Sequence, residues 1–68
     1  MSNLKMIREH VGISQAALAK KSEVNIRMIS FYEQGVKDIN KAAGITLYRL
    51  AQALGCTVED LLELNAEE

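Results

Sequence analysis

Apolar residues recur at helical spacing in five short segments of the chain, and three of these segments are followed by glycine. In the first segment Leu4, Ile7 and Val11 share one helical face with Arg8, at the spacing i, i+3, i+4, i+7. Gly12, Gly35 and Gly55 each follow an amphipathic segment, at the position where glycine commonly ends a helix. Because no stretch alternates with a period of two, the pattern predicts an all-α fold with five helices.

Short polar residues mark where several predicted helices begin. The first helix is expected over residues 3–11, the second over 14–21 and the third over 25–34, with Ser14 and Asn25 as N-caps. The fourth ends at Gly55, and the fifth starts at Thr57, which has the capping-box spacing to an acidic residue three positions on. Residues 36–43 form a long irregular connection, in which Asp38 is placed to cap a single turn.

The second and third predicted helices are joined by only Ser22, Glu23 and Val24. Two short helices with so short a turn must cross at a steep angle, and Val24 then points into that angle. This is the helix-turn-helix arrangement, predicted here over about residues 14–34. Its first helix braces the second, which projects into a DNA major groove about 12 Å wide.

Length and composition favour one small domain over residues 1–68, with a tail at 63–68. The single cysteine, Cys56, excludes an internal disulfide. No metal-ligand set, phosphate loop or dinucleotide fingerprint is present, so neither a cofactor nor an enzyme is expected. His10 and Ser14 are close in sequence, but Ser14 is better explained as an N-cap. An N-terminus without an apolar run predicts no signal peptide or membrane segment and favours the cytoplasm.

Charge is distributed unevenly although the net charge is only −1. Residues 1–49 hold all eight Lys and Arg residues and four acids, whereas residues 50–68 hold five acids and no base. Such asymmetry allows one face to meet phosphate while the other stays in solvent.

Residues along nearly the whole chain, from about Leu4 to Leu62, resemble the XRE family of helix-turn-helix regulators of the phage Cro and repressor type. The resemblance rests on Leu4, Arg8, Gly12, Ile13, Ser14, Gln15, Leu18, Ala19, Val24, Asn25, Ile29, Ser30, Tyr32, Glu33, Gly35, Leu47, Leu50, Ala51, Ala53, Leu54 and Gly55. It implies a compact five-helix lambda-repressor-like domain that binds double-stranded operator DNA as a homodimer and acts in transcription as a repressor. It also implies that Arg8 pairs with Glu33 to hold the fold.

Two features depart from the family pattern. Glu23 occupies a turn position that is commonly Gly, and a left-handed Glu there is expected to cost about 1 kcal/mol. The connection after Gly35 is also longer than usual for the family.

With Ile29 facing inward, a helical wheel of residues 25–34 predicts the base-facing set Ile26, Arg27, Ser30 and Phe31. Arg27 suits guanine, and Ile26 and Phe31 suit thymine methyl groups. Helix N-termini bind phosphate. The residues predicted to bind phosphate are Ser14, Gln15 and Asn25 at helix starts, and Lys37, Asn40 and Lys41 in the long connection.

A protein-binding module, such as an antitoxin-like or adaptor domain, is the alternative function. It would use Phe31 and an apolar C-terminal segment, which is also the expected homodimer contact: Val58, Leu61, Leu62 and Leu64. No small-molecule ligand is evident. Salt separates the two functions, because DNA binding weakens steeply with salt as counterions are released.

Overall fold

The computed structural model describes residues 2–64, and over this range the chain forms five α-helices and one 3-10 turn, with no strand. The elements are α1 Asn3–Val11, α2 Gln15–Ser22, α3 Ile26–Gln34, the 3-10 turn Ile39–Lys41, α4 Gly44–Leu54 and α5 Val58–Leu61. The predicted all-α, five-helix fold class is therefore confirmed. Within this range no helix combines the length and the apolar character needed to cross a membrane.

Local side-chain caps account for the helix starts except that of α4, where Ala43 offers no side-chain hydrogen bond. Ser14 Oγ accepts a hydrogen bond from the backbone N–H three residues on, and Asn25 Oδ1 accepts one two residues on. Thr57 and Asp60 form the reciprocal capping box, with both bonds at 3.1 Å. Asp38 caps the 3-10 turn, as its position in the long connection predicted. These bonds satisfy backbone donors that have no partner within a helix.

Every element contributes one fully buried side chain to the core. These side chains are Leu4, Leu18, Ile29, Ile39, Leu50 and Leu61. Helix α2 packs against α3 and α4, while α5 packs against α1 and α4. Because α2 is held on two sides, it supplies a rigid brace for α3.

The corner between α2 and α3 is closed by buried residues. Val24 is buried in it, and Ser22 beside it is only 3% exposed. Ser22 Oγ donates to the Leu18 carbonyl at 2.7 Å and accepts from the Val24 N–H at 3.2 Å. One hydroxyl thus satisfies two backbone groups of the turn, a role that the sequence pattern did not indicate.

Glu23 adopts the left-handed conformation in this corner, with φ of 62°. Replacing Glu23 with glycine is expected to raise the free energy of unfolding by about 0.5–1 kcal/mol, because relief of the strain exceeds the entropy that glycine adds to the unfolded chain. Urea unfolding followed by circular dichroism measures this change.

Glu23→Ala is the matched control, because it removes the same carboxylate but keeps a Cβ at positive φ. A glycine variant no more stable than the alanine variant would show that the strain is negligible.

Most of the apolar C-terminal segment is used within the fold, so its expected role as a homodimer contact, which stays a prediction, falls on Leu64. Leu61 is fully buried, and Val58 and Leu62 pack partly buried against the core. Helix α5 packs against α1 and α4 through these apolar side chains. Leu64 alone of the four is strongly exposed, at 72%. Of the predicted tail at 63–68, residues 65–68 lie outside the described residues.

Candidate nucleic-acid interface

Helix α3 buries one face and leaves the opposite one accessible. Ile29 and Tyr32 are buried on the inner face. At the N-terminal end, Ile26 is 45% exposed and Arg27 is also exposed. Asn25 Oδ1 caps the helix by accepting a hydrogen bond from the Arg27 N–H at 2.7 Å. This end of α3 lies at the corner with α2. The end of α3 therefore presents an apolar side chain beside a guanidinium.

The other two residues of the predicted base-facing set are less accessible. Ser30 is half-buried, and its Oγ accepts a hydrogen bond from Gln34 Nε2 at 2.9 Å. Phe31 is half-buried rather than fully outward. Its carbonyl accepts hydrogen bonds from the N–H groups of Val36 and Lys37 at 2.9 and 3.2 Å, which close the C-terminal end of α3. A helical wheel gives the direction of a side chain but not how far other parts of the chain cover it.

Two further polar residues belong to this surface and were not predicted. Gln34 is exposed at the end of α3 and continues the outward i, i+3, i+4, i+7 series that begins at Arg27. Lys20 of α2 lines a shallow depression together with Asn25 and Ile26, so it adds a cation beside the N-terminus of α3. Helical spacing contained the signal for Gln34, whereas only the packing of α2 on α3 reveals Lys20.

The residues at the start of α2 have partners inside the protein. Ser14 is exposed and caps α2 through the bond to the Ala17 N–H at 3.0 Å. Gln15 is half-buried, and its Nε2 donates to Glu33 Oε1 at 2.9 Å. Gln15 therefore ties α2 to α3, and this bond orients its amide beside the N-terminus of α2.

Arg8 and Glu33 form a bidentate ion pair between α1 and α3. Arg8 Nε lies 2.7 Å from Glu33 Oε2, and Nη2 donates to Oε1 at 3.0 Å. The two side chains are 12% and 3% exposed. Arg8 Nη1 also donates to the Ile13 carbonyl at 2.8 Å, so the guanidinium links three parts of the chain.

Two opposing effects act on the Glu33 carboxyl. Burial raises its pKa, but the hydrogen bonds from Arg8 and Gln15 and the charge of Arg8 together outweigh burial. The pKa of Glu33 therefore lies below its ordinary value, and the carboxylate is charged at neutral pH. The pair sets the orientation of α3 and stands apart from the outer surface of that helix.

The connection after α3 brings two cations next to that helix. Lys37 and Lys41 are exposed and line one open groove with Met28 and Tyr32 of α3. Asn40, which the sequence grouped with these lysines, is engaged elsewhere, because its amide bonds to the backbone of Glu63.

No metal or nucleophile site accompanies this surface. Among residues 2–64 there is no group of three His, Cys, Asp or Glu side chains placed to hold a metal ion. Burial, with the nearby Asp60 charge, raises the pKa of the Cys56 thiol, which keeps it protonated at neutral pH. The arrangement is a polar and basic surface with open depressions beside α3.

A protein-family model described as helix-turn-helix matches residues 4–61. Neither the curated proteins nor the solved structures gave a significant match. The matched range contains all five helices of the described part of the chain.

Proposed function

Because this chain belongs to the XRE-type family of helix-turn-helix DNA-binding regulators, we propose that it binds double-stranded DNA in a sequence-specific manner and acts as a transcriptional repressor. Helix α3 is the recognition helix and enters the major groove. The observation that carries the proposal is the exposure of Ile26 and Arg27 at the N-terminal end of a helix whose other face is fixed by the core. A small domain of this kind represses by occupying its site.

Base recognition is assigned to the outer surface of α3. Arg27 pairs with guanine O6 and N7, and Ile26 packs against a thymine methyl group. Ser30 and Phe31 contribute the less accessible part of the surface, and Gln34 extends it.

Phosphate binding is assigned to residues on either side of α3. Ser14 and Gln15 lie at the N-terminus of α2, and Asn25 lies at that of α3, where unpaired N–H groups attract anions. The cations of this set are Lys20, Lys37 and Lys41. The exposed acids Glu59 and Asp60 lie in α5, within residues 50–68, which carry no base. This separation of acidic from basic residues orients the protein as it approaches DNA.

Selection of bound sequences from random duplex DNA, followed by salt titration on the selected site, tests the proposal. A defined consensus is expected, with an affinity that falls as salt rises by a logarithmic slope of about −0.9 for each phosphate neutralised. Lys37→Ala is expected to reduce the slope, while the matched charge change Glu59→Gln on the acidic side leaves it nearly unchanged. Absence of a consensus, with salt-insensitive capture of a protein partner, would favour the interaction module instead.

The DNA-bound form is proposed to be a homodimer. One recognition helix reads only a few base pairs, whereas two copies related by a two-fold axis place their helices about 34 Å apart on successive turns of the groove. Sedimentation with the selected duplex is expected to give two chains per site. Leu64→Glu is expected to weaken this complex, since Leu64 is the exposed apolar residue of the C-terminal segment.

A duplex with one half-site scrambled is the control and should hold a single chain. One chain on an intact, asymmetric consensus, with Leu64→Glu binding as well as wild type, would contradict the dimer.

A further inference from the structure

Residues 62–64 follow α5 without regular structure and run between the start of α1 and the connection after α3. On the α1 side, the Asn3 N–H donates to Glu63 Oε2 at 3.1 Å, and Asn3 Nδ2 donates to the Leu62 carbonyl at 2.7 Å. The Glu63 carboxylate therefore lies at the N-terminus of α1, where a negative charge is favoured. We call these residues the clasp segment.

On the other side, Asn40 holds the clasp segment by a reciprocal pair of hydrogen bonds. Asn40 Nδ2 donates to the Glu63 carbonyl at 3.0 Å, and the Glu63 N–H donates to Asn40 Oδ1 at 2.8 Å. The primary amide thereby bonds to both backbone groups of Glu63, since it offers one donor and one acceptor. An alanine side chain at position 40 would offer neither the donor nor the acceptor.

Asn40 lies in the same connection as Lys37 and Lys41, the two cations that line the groove beside α3. Ile39, next to Asn40, is only 2% exposed and anchors the connection to the core. The N-terminal end of the connection is also held to α3, because the N–H groups of Val36 and Lys37 donate to the Phe31 carbonyl. Asn40 is the side chain that holds the middle of the connection, next to Lys41, by hydrogen bonds to a distant part of the chain.

We propose that Asn40 is a positioning residue for DNA binding. Through the backbone of Glu63 it holds the connection in place, so that Lys37 and Lys41 meet the phosphate backbone next to α3. The clasp segment thus affects the affinity of the protein for DNA, although it makes no DNA contact of its own. This inference rests on the proposed function, and it replaces the direct phosphate contact that the sequence suggested for Asn40.

Salt dependence separates a positioning role from a direct contact. Asn40 is neutral, so the loss of a direct bond to phosphate leaves the number of released counterions unchanged. Loss of a lysine contact lowers the slope of log affinity against log salt by about 0.9 for each phosphate. For Asn40→Ala, the proposal predicts a smaller slope, the same consensus and an affinity reduced roughly three- to tenfold at low salt.

Glu63→Pro tests the same link from the other side, because it removes the N–H that donates to Asn40. Leu62 already has extended backbone, with φ of −73° and ψ of 149°, as the residue before a proline requires. Glu63→Ala is the matched control, since it keeps that N–H and loses only the side chain. Glu63→Pro is expected to reproduce the Asn40→Ala effect, and the double variant to be no weaker than either single one.

Hydrogen exchange in the free protein gives a readout that does not involve DNA. The Lys41 and Ala42 N–H groups donate to the carbonyls of Asp38 and Ile39 within the 3-10 turn. Asn40→Ala is expected to speed exchange at these two amides while the amides of α4 stay protected.

Three results would overturn the proposal. Unchanged hydrogen exchange in the 3-10 turn of Asn40→Ala would by itself overturn the proposal. An unchanged salt slope for Asn40→Ala, together with additive losses of affinity in the Asn40→Ala/Glu63→Pro double variant, would also overturn it. A wild-type protein without salt-dependent DNA binding would overturn the proposed function and this inference together, even if exchange responds to Asn40→Ala.

Discussion

Replacing Arg8 with alanine is expected to lower the free energy of unfolding by about 3–5 kcal/mol, because it leaves a buried carboxylate without its counter-charge. Glu33 is 3% exposed and would keep only the bond from Gln15. The Ile13 carbonyl would lose its donor as well. A domain of this size has a small total stability, so a large fraction of the chains should unfold near room temperature. Urea and thermal unfolding followed by circular dichroism measure the loss.

Lys21→Ala is the matched control, since it removes an exposed positive charge from α2. It is expected to change stability by less than about 0.5 kcal/mol. A double variant that also replaces Glu33 with glutamine should recover part of the loss, because the buried charge is then gone. An Arg8→Ala variant that loses less than about 1 kcal/mol would contradict a structural role for the pair.

The same pair makes stability depend on pH. The pKa of Glu33 is lower in the folded protein than in the unfolded chain, where it has its ordinary value. The unfolded chain therefore binds the proton more tightly, and stability falls as the pH is lowered. The contribution of Glu33 is fully present above the ordinary carboxyl pKa and is lost as the pH falls through the folded-state pKa. In the Arg8→Ala variant this acid-dependent loss is expected to shrink.

Arg27→Ala is expected to weaken binding to the selected DNA site by about 1–3 kcal/mol, which corresponds to about 5- to 150-fold in affinity. Arg27 lies exposed in the first turn of α3, where a bidentate contact to guanine is within the geometry of a recognition helix. The preference at one base position should relax while the others persist. A second round of selection with the variant protein measures the affinity and the consensus together.

Arg49→Ala is the matched control, because it removes the same charge from an exposed position on α4. It is expected to leave the consensus unchanged. If Arg27→Ala lowered the affinity for every sequence equally and kept the full consensus, Arg27 would be a phosphate contact rather than a base contact.

Much of the fold depends on interactions between residues close in sequence, and those parts were predictable. Ser14, Asn25 and Thr57 cap helices through bonds to N–H groups two or three residues on. Gly12 and Gly35 end α1 and α3 in the left-handed conformation that glycine adopts most easily. The short link between α2 and α3 likewise predicted the helix-turn-helix corner, and the family resemblance indicated the left-handed Glu23.

The candidate site was predictable only in part. The helical wheel of α3 identified Ile26 and Arg27, which are exposed, because burial of Ile29 determines the opposite face. It overstated the exposure of Phe31, which is half-buried, because a helical wheel does not include packing by other parts of the chain. It also missed Lys20, which reaches this surface from a different helix.

The sequence by itself determined where the helices begin and end, which face of each is apolar, and that two of them form a tight corner, because each property depends on groups within one or two helical turns. Tertiary structure alone decided which polar groups find partners far along the chain. Gln15 bonds to Glu33, and Asn40 bonds to Glu63. From the sequence alone, both side-chain amides were predicted to bind phosphate. Their partners come within reach only when the core has packed α2 against α3 and has brought the clasp segment back to the connection after α3.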